Sequence, residues 1–235
     1  MQYEIKNRPL SVLICGLAQG ESVECQKGAM SWMSDTIEMK TGLGGSGGGG
    51  LLGALGKMAK SAVTGESIFR NTYTATAGPG EIAFASSFPG DIISFDLNGT
   101  NSIVAQKTAY LANTIGVTSD IFFQKKVGAG FFGGEGFIMQ KFSGQGTVFL
   151  EISGCTCEYV LAPGQSMLVD TGFLAAMEAT CTVDIETVKG IGNALLGGEG
   201  FFNTRVTGPG KIWLQTMPAS SLATALIPYL PKPSN

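Results

Sequence analysis

Residues 131–150 read FFGGEGFIMQKFSGQGTVFL, and residues 195–214 read LLGGEGFFNTRVTGPGKIWL. The two stretches align without a gap at a constant offset of 64 positions, and eight of the twenty residues are identical. The identities fall mostly on Gly133, Gly134, Glu135, Gly136, Phe137, Gly144 and Gly146 with their counterparts. Because most are glycines, what repeats is a backbone path of turns and strands, not a set of reactive side chains. A fainter third copy lies upstream, where Gly65-Glu66-Ser67-Ile68-Phe69 leads through an alternating run to Gly78-Pro79-Gly80-Glu81-Ile82. Three similar units predict three similar objects packed together.

A second recurrence follows the same spacing. Trp32-Met33, Tyr110-Leu111 and Phe173-Leu174 each place an aromatic and a long apolar residue ahead of the next glycine-glutamate corner. The first gap is longer because of an insertion at 42–62. Its opening, Gly44 to Gly50, is a flexible linker by composition, and Leu52, Leu55 and Ala59 then stand at helical spacing. A short amphipathic helix is expected there, needing tertiary or partner contacts to persist.

Outside the glycine-rich parts, short runs alternate or are rich in β-branched and aromatic residues. Val12–Cys15, Ser67–Thr76, Glu81–Ala85, Ile92–Leu97, Ser102–Lys107, Ile121–Lys125, Thr147–Ile152, Glu158–Leu161, Ser166–Val169, Thr182–Thr187 and Lys211–Thr216 are predicted strands. Phe88-Pro89-Gly90, Ala162-Pro163-Gly164 and Gly208-Pro209-Gly210 punctuate them, and Asn98-Gly99-Thr100 reads as a hairpin turn. The fold class is therefore all-β. One compact domain over 1–235 is expected, built of repeats at 1–95, 96–165 and 166–235.

Composition narrows the function. Charged residues are 14% of the 235, and glycine supplies 35. The net charge is −3, and Lys and Arg are scattered, which argues against a nucleic-acid partner. With no histidine anywhere, Ser-His-Asp and Cys-His machinery and histidine-ligated metal sites cannot be built within the chain. The chain is read as a non-enzyme with no cofactor. Five cysteines in no disulfide-scaffold spacing, and an N-terminus without a signal-peptide pattern, predict a cytoplasmic protein. Cys155 and Cys157 share a strand face, but no second pair completes a zinc site. Gly128-Ala129-Gly130-Phe131-Phe132-Gly133 mimics a dinucleotide fingerprint yet runs on into glycines and a strand instead of a helix.

Two sets of residues remain as candidates. Glu66, Glu135 and Glu199 occupy the same place in each repeat; they either converge on a common axis as a carboxylate cluster for a hard cation or lie apart and brace the glycine corners. Ahead of each corner sits an apolar, glycine-bordered segment, namely Leu51, Leu52 and Leu55, then Phe131 and Phe132, then Leu195 and Leu196. Three such prongs, with Lys57, Lys60, Lys125, Lys126 and Lys189 beside them, make an apolar tip with a basic rim that suits an anionic membrane surface. Alternatively the segments cap their own barrel or pack between identical subunits.

The three glycine-glutamate corners, the Gly-rich insertion before the first and the Pro-Gly turns resemble the altered-inheritance-of-mitochondria, or mitochondrial biogenesis, family in its uncharacterised bacterial branch. The resemblance covers essentially the whole chain. It implies three β repeats related to the tryptophan RNA-binding attenuation protein (TRAP) fold about a pseudo-threefold axis. It implies no catalytic residue, and it links mitochondrial relatives to organelle membrane organisation. The expected function is a self-associating, homo-oligomeric scaffold or membrane-peripheral interaction module. A small-ligand- or cation-binding module is the alternative.

Overall fold

The structure is a computed structural model that describes residues 1–6, 10–43, 69–125, 136–187 and 202–230. Among these residues the chain is built almost wholly of antiparallel strands, as the alternating runs predict. The first strands are β1 (Gln2–Lys6), β2 (Val12–Leu17), β3 (Ser22–Gln26), β4 (Trp32–Met33), β5 (Ile37–Leu43), β6 (Phe69–Ala75) and β7 (Gly80–Ala85). Then come β8 (Gly90–Asn98), β9 (Ile103–Gln106), β10 (Tyr110–Thr114), β11 (Val117–Lys125) and the long β12 (Phe137–Ser153). The last are β13 (Thr156–Leu161), β14 (Ser166–Asp170), β15 (Leu174–Glu178), β16 (Thr182–Thr187), β17 (Phe202–Thr207) and β18 (Gly210–Gln215). They are followed by the helix α1 (Ala219–Leu226).

Four kinds of pairing recur along the chain. β2 pairs with β7, β8 with the second half of β12, and β13 with β18. β3 pairs with β6, β9 with the first half of β12, and β14 with β17. The hairpins β5–β6, β11–β12 and β16–β17 repeat in the same order. β4 lies on β7, β10 on β12 and β15 on β18. Two further pairings, β10 with β3 and β15 with β9, tie one group of strands to the next.

The duplicated glycines explain how β12 serves four partners. Gly144 and Gly146 take φ of +105° and +145°, a region that L side chains rarely adopt. An added Cβ would lie 2.2 Å from the Gly116 carbonyl oxygen at Gly144, and 2.2 Å from Thr114 Oγ1 at Gly146. The strand therefore changes direction there and passes from β9 and β11 to β8 and β10. Gly210, the counterpart of Gly146, has the same φ of +145°.

Inward-facing residues form three apolar clusters. One joins Leu13, Val23, Ile82 and Phe84 to Leu111 and Phe149. The second centres on Tyr110, Phe142, Val148 and Leu150 and reaches Ala176 and Trp213. The third sets Phe137 and Met139 against Leu174, Val206 and Ile212. Each cluster draws on two groups of strands, so burial of apolar area binds the groups together.

Sequence and structure differ in places. Gly99 does make a turn, braced by Asn98 Oδ1 accepting from Thr100 N at 3.0 Å. It is not a hairpin, because β8 and β9 each pair with β12 instead of with one another. The helix expected in the 42–62 insertion lies outside the described residues, whereas α1 was not expected. Its segment ASSLATAL carries no charge and has no side-chain N-cap bond, so its sequence signal is weak. Among the described residues no helix is long and apolar enough to cross a membrane.

Candidate functional site

The ends of several strands converge on a cavity of about 540 Å³. Gln26 closes β3, Gln106 closes β9 and Gln215 closes β18, and all three amides line it. Glu151 and Ser153 come from the end of β12, while Ser87 and Phe88 come from the turn after β7. Pro218, Ala219, Ser220 and Ala223 bring α1 over one side. The volume lies within the range of small-molecule sites.

The hydrogen bonding is incomplete. Gln215 donates to the Gly172 carbonyl at 2.8 Å and accepts from Ser153 N at 3.1 Å, so both ends of its amide are engaged. Gln106 is 2% exposed, and among the described residues its side chain makes one hydrogen bond, the carbonyl oxygen accepting from Gln215 Nε2 at 3.4 Å. The other end of that amide has no protein partner among the described residues and is not enclosed, so it is open to water or a ligand in the cavity.

Glu151 is the charged residue of the lining. Its carboxylate accepts from Ser87 N at 2.7 Å and Ser87 Oγ at 3.2 Å. Ser86 Oγ stands 3.4 Å away but is closer to the Phe88 carbonyl, at 2.8 Å. Burial pushes the Glu151 carboxyl above the usual carboxylate range, against the opposing pull of the Ser87 and Ser86 hydrogen bonds. Among the described residues no basic side chain pairs with it.

A second polar group is fully enclosed. Arg70 on β6 is 2% exposed; its Nη1 donates to Glu24 Oε2 at 3.2 Å and Asn113 Oδ1 at 3.0 Å, and its Nη2 donates to Ser119 Oγ. The guanidinium lies 4.8 Å from the Tyr110 ring centroid and 5.9 Å from that of Phe142. Tyr110 Oη also donates to Asn113 Oδ1, at 2.6 Å. This knot clamps β6 to β3, β10 and β11 and leaves no opening for a ligand, so its work is structural.

Glu66, Glu135, Glu199, Leu51, Leu52, Leu55, Phe131, Phe132, Leu195 and Leu196 all lie outside the described residues. The strands that carry them are described. Each segment joins the two strands of a recurring hairpin, whose last pairs are Leu43↔Phe69, Lys125↔Phe137 and Thr187↔Phe202. Lys125, expected in the basic rim, spends its ammonium on the Ile185 carbonyl at 2.8 Å and so ties the second hairpin to the third. Cys155 is exposed and Cys157 half-buried, and among the described residues no group of three or more His, Cys, Asp or Glu is placed to hold a metal ion.

The cavity residues were missed because single polar residues at strand ends read as solvated. One signal was present. The duplication ends at Leu150 and Leu214, and the next pair in register is Glu151 and Gln215, the two side chains that line the cavity from β12 and β18.

Residues 3–217 match the family model described as mitochondrial biogenesis AIM24. The chain belongs to that family. An uncharacterised protein of Streptococcus pyogenes serotype M6 is 31% identical to it over 221 residues, which cover 93% of this chain and 86% of the relative. The crystal structure of a Streptococcus pyogenes protein aligns with a TM-score of 0.77 at 26% identity, covering 97% of this AIM24-family chain and 99% of the other. The all-β architecture thus has an experimental counterpart along nearly its whole length.

Proposed function

We propose that this AIM24-family chain is a non-enzymatic module that binds a small polar ligand in the cavity beneath α1. The observation that carries the proposal is the amide of Gln106, 2% exposed and half unpaired, facing a space of about 540 Å³. Three TRAP-like repeats about a pseudo-threefold axis supply the frame, a reading supported by the recurrence of the same four pairings along the chain. Gln26, Gln106 and Gln215 come from three different groups of strands, so the ligand would sit where the repeats meet. Ala223→Trp tests the location. It fills the space from a helix with no buried residue, and should abolish ligand-induced thermal shifts while leaving the unliganded melting temperature unchanged. A ligand that still raises the melting temperature of that variant refutes the site.

A second function, self-association, is favoured by a different observation. β3 is flanked by β6 and β10, and β9 by β12 and β15, whereas β14 pairs only with β17 among the described residues. Leu168 on β14 is 51% exposed, and Trp32 on β4 is 50% exposed. An unpaired edge with large apolar residues is a template for a second copy. Such an oligomer would act as a cytoplasmic scaffold, and the apolar segments at 51–55, 131–132 and 195–196 would let it meet an anionic membrane peripherally. Light scattering with size exclusion should show an oligomer that Leu168→Asp dissociates; a monomeric wild type removes the idea. Phe131→Ser/Phe132→Ser should reduce co-sedimentation with anionic liposomes, and the membrane role fails if the wild type does not sediment.

A further inference from the structure

The cavity wall carries a more specific chemistry than a general polar ligand requires. Resting on the ligand-binding function proposed for this cavity, we infer that it selects a small organic amine whose ammonium group pairs with Glu151 and whose second polar group meets the free amide of Gln106. Glu151 is the charged residue of the lining, and no cation compensates it among the described residues. The remaining polar wall is neutral, made of amides and hydroxyls.

Three ligand classes meet this wall differently. An anion would be repelled by the Glu151 carboxylate. A neutral molecule would leave the carboxylate with only its serine contacts, which come from one side through Ser87 and Ser86. An ammonium group would supply both the missing charge and the remaining hydrogen bonds, which is how a desolvated carboxylate becomes favourable. The upward pull of burial on the Glu151 carboxyl agrees with a site that lacks its counter-charge. The body of the ligand would lie against Phe88, Ala109, Pro218 and Ala219. Phe88, 39% exposed, offers a ring face for an aromatic or aliphatic body. The free end of the Gln106 amide asks for a hydroxyl or carbonyl, and Thr108 belongs to the same lining.

The test uses three probes of one shape on the full chain: tyramine, 4-ethylphenol and 3-(4-hydroxyphenyl)propanoate, followed by amide and side-chain NMR at Gln106, Glu151 and Gln215. Tyramine should bind at least about tenfold more tightly than 4-ethylphenol, and the propanoate should not bind. Glu151→Gln should remove the preference for tyramine while still binding 4-ethylphenol, which also reports that the variant is folded. If that variant does not fold, the wild-type preference decides by itself. Equal binding of tyramine and 4-ethylphenol, or tyramine binding unchanged in Glu151→Gln, overturns the amine assignment and leaves the ligand site standing. Failure of all three probes to perturb those resonances overturns both.

Discussion

Replacing Glu24 by Met strands a buried cation, and the consequence can be sized from the geometry. Arg70 has a side chain 2% exposed and Glu24 one 10% exposed, and they meet at 3.2 Å. Among the described residues Glu24 is the carboxylate that neutralises this guanidinium; Asn113 Oδ1 and Ser119 Oγ contribute only dipoles. Removing one partner of a buried pair costs about 3–5 kcal/mol, because the other charge stays desolvated. For a chain of this size, at about 2–4 °C per kcal/mol, the melting temperature should fall by roughly 10 °C. Glu24→Met/Arg70→Met removes both charges and keeps comparable volume, so it should recover most of the loss. Urea denaturation of wild type, both single variants and the double variant completes the cycle. A Glu24→Met protein within about 1 kcal/mol of wild type, or a double variant no more stable than the worse single one, would refute the clamp.

Other expectations attach to particular positions. Burial pushes the thiols of Cys15 and Cys25 up to about 12 and raises that of Cys181, while Cys155 is exposed. Iodoacetamide at pH 8 followed by peptide mass mapping should therefore modify Cys155 first and Cys157 next, with the other three reacting only after unfolding; early modification of Cys15 contradicts the burial. Glu151 holds its proton more tightly folded than unfolded, so its stabilising contribution is complete below about pH 4.5 and is lost as pH rises through the higher folded value. The stability margin of wild type over Glu151→Gln should accordingly shrink from pH 4.5 to 7 in paired melts, and a margin that grows with pH would reverse the sign. A Cβ at Gly90 would stand 1.8 Å from the Ile152 carbonyl oxygen, so Gly90→Ala should cost about 3 kcal/mol or more in denaturant titration. A Gly90→Ala protein of wild-type stability would mean that β8 and β12 separate easily.

The duplication at 131–150 and 195–214 made much of the strand plan legible, because its glycines mark places where the backbone must turn whatever surrounds it. Gly146 and Gly210 bear this out with an identical φ of +145°. Alternation located strands such as β7, β8 and β16 closely, since a period of two needs only a core on one side. β3, β10 and β15 were not recognised as strands. Ala112 and Ala176 are completely buried, but their partners Cys25 and Ala105 come from residues far away in sequence. No local pattern encodes a neighbour contributed by another part of the chain.

The candidate site divides along the same line. Absence of histidine and dispersal of basic residues are properties of composition, and they exclude chemistries before any folding occurs. Gln106, Glu151 and Gln215 are ordinary polar residues at strand ends, indistinguishable in sequence from solvated ones. Only tertiary structure, by bringing three strand ends and a terminal helix around one space, leaves one amide end open to a cavity and desolvates one carboxylate. Backbone conformation is a local property and can be read from glycines, whereas desolvation depends on what every other segment covers.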